Sequence, residues 1–106
     1  MKTDELTNVQ LEWAVAQCEG KCLVDGVLFT KDPDDEQVLY SPSTDWAQGG
    51  RIIEREGISV RKINGKWFGV MDDGRFEEGS TPLIAAMRCY VASKLGDEVE
   101  VPKEFV

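Results

Sequence analysis

Ile58–Met71, ISVRKINGKWFGVM, is the stretch whose reading decides the fold. Asn64-Gly65 stands between two runs rich in Val, Ile, Trp and Phe, and this dipeptide readily takes the positive φ values that a two-residue hairpin turn requires. The spacing predicts strands over Ile58–Ile63 and Lys66–Met71. Asp72-Asp73-Gly74 supplies a second turn, leading to a short strand around Arg75–Glu78. Three antiparallel strands in sequence order make a meander. Trp67 and Phe68 are neighbours in a strand, so they point to opposite faces, and one of them faces a helical layer.

Upstream, Tyr40–Gly57 reads YSPSTDWAQGGRIIEREG. Ser41-Pro42 holds the backbone extended before a helix. Ser43 or Thr44 is expected to cap it, with Asp45 in the first turn complementing the helix dipole. The helix runs to about Arg55 with Ile52 and Ile53 on its buried face, and Gly57 ends it. Gly49-Gly50 costs about 1 kcal/mol per glycine relative to alanine. Such a pair points to a kink, to close packing, or to a ligand approach.

Farther out the same signals recur. Thr7 and Gln10 have capping-box spacing, Leu6 and Leu11 sit at the staple positions, and Leu11, Ala14, Val15 and Cys18 keep helical period. A helix is expected over Asn8–Glu19, stopped by Gly20. Lys21–Thr30 reads either as a short hairpin about Asp25-Gly26 or as one strand bent at Gly26. Residues 31–37, KDPDDEQ, form an acidic loop, followed by a short strand at Val38–Tyr40. Thr81-Pro82 opens the last helix, whose core stripe is Leu83, Ile84, Met87, Val91 and Leu95, and Gly96 stops it. Residues 97–106 are expected to form an extended tail.

The order is α-β-β-α-β-β-β-α in a single domain over 1–106. Partly segregated strands and helices argue for an α+β fold, an antiparallel sheet of about four to five strands packed by three helices.

Composition narrows the function. The chain has 106 residues, 42% hydrophobic and 30% charged, with a formal net charge of −8. Phosphate contacts need clustered Lys and Arg, so direct nucleic-acid binding is not expected. MKTDELTNVQ has no apolar core and no run approaches a membrane span, so neither a signal peptide nor a membrane is expected. Three cysteines, Cys18, Cys22 and Cys89, are then read as reduced thiols in a cytoplasm. Histidine is absent, which removes the commonest general base and zinc ligand. The expectation is no enzyme, no metal and no cofactor. Arg51 and Arg55, recurring beside Glu54, read as a solvated, salt-bridged face.

Ser41, Ser43, Thr44, Asp45 and Trp46 are the leading site candidates, with Gly49, Gly50 and Arg51 on the turns that follow. Hydroxyls and a carboxylate at a helix N-terminus can hold an amide- or amine-bearing ligand, and free N–H groups an anion. Capping alone requires the same residue types, and Trp46 is either a core anchor or an interface anchor with a polar rim.

Tyr40–Gly57 and Thr81–Pro102, TPLIAAMRCYVASKLGDEVEVP, together resemble the NinX-like proteins of tailed phages. The STDWA and TPLIAA helix starts also look like a broader group of phage domains described as α-β-α sandwiches. The resemblance implies helices on both faces of the sheet and nothing about catalysis. Taken with the compact acidic chain, the lack of a catalytic constellation and the reduced thiols, it leads to the expectation of a small accessory protein in the host cytoplasm that acts by binding a host or phage protein. The alternative is a binder that sequesters a nucleotide or metabolite. An uncovered Trp67 or Phe68, or the tail, would also suit a homodimer.

Overall fold

The computed structural model describes residues 1–20, 23–24, 27–31 and 37–105; within these, the side chains of residues 8, 23–24, 27–31, 37–38 and 104 are not described. Among the described residues there are three α-helices: α1 (Asn8–Glu19), α2 (Trp46–Glu56) and α3 (Pro82–Leu95). Six strands accompany them: β1 (Leu23–Val24), β2 (Val27–Lys31), β3 (Gln37–Leu39), β4 (Ser59–Ile63), β5 (Lys66–Val70) and β6 (Phe76–Gly79). The class is α+β.

The meander forms as its turn residues dictate. Asn64 and Gly65 take φ of 52° and 80°, and Ile63 faces Lys66 at the end of the β4–β5 ladder. Gly74 at φ 89° closes the second turn, where the Met71 N–H donates to the Arg75 carbonyl at 2.8 Å. β6 then pairs with β5, Trp67 opposite Gly79 and Val70 opposite Phe76.

The strand count of four to five is corrected to six among the described residues, in two separate three-stranded antiparallel sheets, β1-β2-β3 and β4-β5-β6. Leu23–Lys31 is a hairpin rather than one bent strand, with Val24 opposite Val27; its turn, Asp25-Gly26, lies outside the described residues. The acidic run at 32–36 also lies outside them. The third strand begins one residue earlier than expected, at Gln37.

α3 lies between the meander and the other helices. Ala85 and Ala86 meet Gly69 of β5 and Gly79 of β6, and Leu83 meets Gly49 of α2. Tyr90, farther along α3, reaches Glu19 of α1 and Arg55 of α2. Leu83, Ala85, Ala86, Met87, Cys89, Tyr90, Val91 and Ala92 are therefore all buried. A single stripe underestimates a helix packed on two sides, and Leu95, expected in the core, is 41% exposed. Leu6, Leu11, Val15, Ile52, Met87 and Val91 fill the space among the helices.

The helices do not sandwich the meander. α1 and α2 pack on α3, and among the described residues neither covers the opposite face of β4-β5-β6. Phe76 (62% exposed) and Ile63 (47%) stand on that face. Phe68 joins them, its ring centroid 6.3 Å from that of Phe76, while Trp67 faces the α3 side. The expected two-sided cover fails because α3 uses its own second face to bind α1 and α2.

The segment after α3 returns to the N-terminus. Met1 and Val99 exchange backbone hydrogen bonds of 2.8 Å, and the Thr3 hydroxyl donates to the Gly96 carbonyl at 2.6 Å. Val99 is buried, and Lys103–Phe105 forms a 3-10 turn.

Candidate functional site

The start of α2 is built by a turn that precedes the helix. The N–H groups of Thr44 and Asp45 donate to the Ser41 carbonyl at 3.1 and 2.8 Å. The helix cap is Asp45, whose Oδ1 accepts from the Ala47 N–H at 2.9 Å, and not Ser43 or Thr44. Those two residues are spent in the turn, so the first residue with a free carboxylate at the right spacing takes the cap. Gln48 braces the turn: its Oε1 accepts from the Ser41 N–H at 2.9 Å, and its Nε2 donates to the Leu39 carbonyl at 2.9 Å and to Asp45 at 3.1 Å.

Beneath the turn lies a buried acid. Ser43 is 2% exposed and donates its backbone N–H to Glu12 Oε1 of α1 at 3.0 Å. Burial pushes the Glu12 carboxyl up to about 7, against the opposing pull of its Ser43 hydrogen bonds. A helical glutamate among Leu11, Ala14 and Val15 gives no sequence signal of such burial, and Glu12 is absent from the sequence-derived candidates.

The other candidate residues divide by role. Gly49 is a packing residue: a Cβ there would collide with the Pro42 carbonyl and lie 2.7 Å from Leu83 Cδ2. Gly50 faces open space apart from the Trp46 ring, whose Cε3 would lie 3.8 Å from an added Cβ. Arg51 is exposed on the following turn. Arg55 pairs with Glu19 and Glu56, not with Glu54: its guanidinium meets both Glu19 oxygens, at 2.9 and 2.6 Å, and donates to the Tyr90 hydroxyl at 3.1 Å. Tyr90 in turn donates to Glu19, and this network joins the C-terminal parts of all three helices.

Trp46 is 56% exposed. Its ring borders a hollow of about 230 Å³ with Ser43, Thr44, Thr81, Pro82, Leu83 and Ile84. The starts of α2 and α3 therefore lie side by side, with Thr81 capping α3 through the Ile84 N–H at 3.1 Å. Of the candidates, the structure brings Ser43, Thr44 and Trp46 to this hollow. It leaves Ser41 and Asp45 to the turn and cap, Gly49 to the core, and Arg51 outside. The contribution of Thr81–Ile84 was hidden because it depends on how two distant helix starts dock.

A larger recess of about 550 Å³ lies beside β6, between Phe68, Phe76, Asp4 and Arg88. Its two cations are committed: Lys66 pairs with Glu78 at 3.5 Å, and Arg88 donates to the carbonyls of Leu6 and Glu78 at 3.0 and 2.9 Å.

Fold and site together define a small α+β domain whose two adjoining helix starts present one uncovered tryptophan. The family model described as bacteriophage P22, NinX matches residues 2–94, and the chain belongs to that family. No curated protein matches it. Among the described residues, no helix is long and apolar enough to cross a membrane.

Proposed function

We propose that this phage protein acts in the host cytoplasm by binding a host or phage protein through the joined starts of α2 and α3. The observation that carries the reading is Trp46, held 56% exposed beside an apolar hollow with a hydroxyl-bearing rim. Interface hot spots are enriched in tryptophan, set among contacts that exclude water around it. The turn beneath it is braced, since Ser41, Ser43 and Asp45 are each hydrogen-bonded to a residue outside the hollow. A preformed anchor avoids part of the ordering cost of association.

The alternative, sequestration of a nucleotide or metabolite at the same hollow, is the weaker reading. A hollow of about 230 Å³ falls below the range of roughly 300–1,000 Å³ usual for small-molecule pockets. The helix-start N–H groups of Ala47 and Ile84 are also taken by their caps.

The test is affinity capture from nuclease-treated lysate of infected cells, comparing the wild type with a Trp46→Ala variant of matched thermal stability. A protein retained by the wild type and lost with the variant is the expected result. Retention of the same proteins by both would place the interface elsewhere.

A further inference from the structure

Acids outnumber bases by 20 to 12 in this chain, yet Ile58–Met71 carries Arg61, Lys62 and Lys66 and no carboxylate. All three side chains are exposed. Two of them lie on β4, which is an edge of its sheet.

The register fixes what that edge offers. Across a two-residue turn the closing pair, Ile63 and Lys66, is the hydrogen-bonded one. Arg61 and Ser59 then also direct their N–H and C=O groups toward β5, and those of Val60 and Lys62 point to the free edge. Among the described residues, neither Val60 nor Lys62 makes a backbone hydrogen bond outside the ladder. The edge thus presents donors and acceptors in strand register.

The cations flank this edge on both faces. Arg61 lies on the open face, opposite Phe68. Lys62 lies on the α3 side, its ammonium 5.7 Å from the Trp67 ring centroid. Lys66 is paired with Glu78, but among the described residues Arg61 and Lys62 form no ion pair. A second copy pairing β4 with β4 would set these cations against each other. A nucleic-acid strand has no backbone amides with which to continue a β ladder. An extended peptide with carboxylates on alternate faces matches both the ladder and the charge.

We propose that the β4 edge docks an extended acidic segment of a partner protein, which joins the sheet as a fourth strand with its carboxylates against Arg61 and Lys62. Exposed Ile63 gives the segment an apolar contact at the hairpin end. This surface is distinct from the Trp46 hollow and shares with it only the reading that the domain works by binding.

The experiment is an amide-resolved NMR titration of the whole chain with three probes: the capped peptides VEEVEEV and VKKVKKV, whose adjacent charges fall on both faces of a strand, and a short oligothymidylate. The acidic peptide should bind at least about tenfold more tightly than the basic one, equivalent to roughly 1.4 kcal/mol. Its largest shifts should fall at Val60 and Lys62. A Arg61→Glu/Lys62→Glu variant should reverse the preference, and Trp46→Ala should leave it unchanged, which separates this surface from the hollow. Equal affinity for the two peptides, absence of binding, shifts centred away from β4, tighter binding of oligothymidylate, or an acidic preference surviving the double reversal would each overturn the proposal.

Discussion

Glu12 of α1 accepts the backbone N–H of Ser43 at 3.0 Å and so fixes the turn that holds Trp46 at the surface. The bond joins an acid that is 7% exposed to a segment 31 residues away. It links the core of the domain to its candidate interface.

Protonation of Glu12 should tune stability. Burial raises its folded carboxyl to about 7, from an ordinary value of 4.5. The folded state therefore holds a proton that the unfolded chain has lost between these values. This contribution is fully present below about pH 4.5 and is lost as pH rises through 7. A shift of that size corresponds to roughly 3 kcal/mol. Glu12→Gln keeps an acceptor for Ser43 without the charge. Its melting temperature should exceed that of the wild type at pH 8, and the gap should close at pH 5. A gap of constant size across that range would contradict the assignment.

The two adjacent glycines of α2 should respond in opposite senses. Gly49→Ala places a methyl against the Pro42 carbonyl and Leu83, and should cost about 2 kcal/mol or more, as overpacking does. Gly50→Ala meets only the Trp46 ring at van der Waals distance and should gain up to about 1 kcal/mol from helix propensity. Urea melts of the two variants check the sign.

Gly69 and Gly79 mark where α3 rests on the meander. A Cβ on Gly69 would lie 2.8 Å from the Ala85 carbonyl oxygen and 2.9 Å from Ala86 Cα, and one on Gly79 would collide with the Ala85 amide. Since the obstacle is helix backbone, alanine at either position should lower the melting temperature by several degrees, equivalent to about 1–3 kcal/mol.

Cys89 should be slow to react in the native state. It is buried, and burial, reinforced by Glu77, raises its thiol to about 11. Alkylation followed by peptide mapping should label Cys89 far more slowly in the folded protein than in denaturant. Equal rates in both would show that α3 opens readily.

Local chemistry made much of this fold legible. Asn64-Gly65, Thr81-Pro82, Thr7 with Gln10 and the left-handed glycines at 20 and 57 all specify structure through their own backbone preferences, and the elements they bound lie as expected. What depended on docking was not legible. Gly69 and Gly79 look like weak strand residues until α3 is laid over them, and Glu12 looks like a surface acid until Ser43 closes over it. The two-sided burial of α3 had the same origin, because its alanines read as helix formers rather than contacts. The site was half visible: Trp46 and its neighbours were marked by residue type, whereas Thr81–Ile84 entered only through tertiary packing.

The most direct test of the interface is site-specific photo-crosslinking in infected cells. A photoreactive phenylalanine analogue would replace Trp46 in one protein and exposed Glu54, on the same helix, in another. A discrete adduct from position 46, missing or much weaker from position 54, is the predicted result. Equal crosslinking from both positions, or none from position 46 in protein shown to be folded, would contradict the reading of Trp46 as the binding anchor.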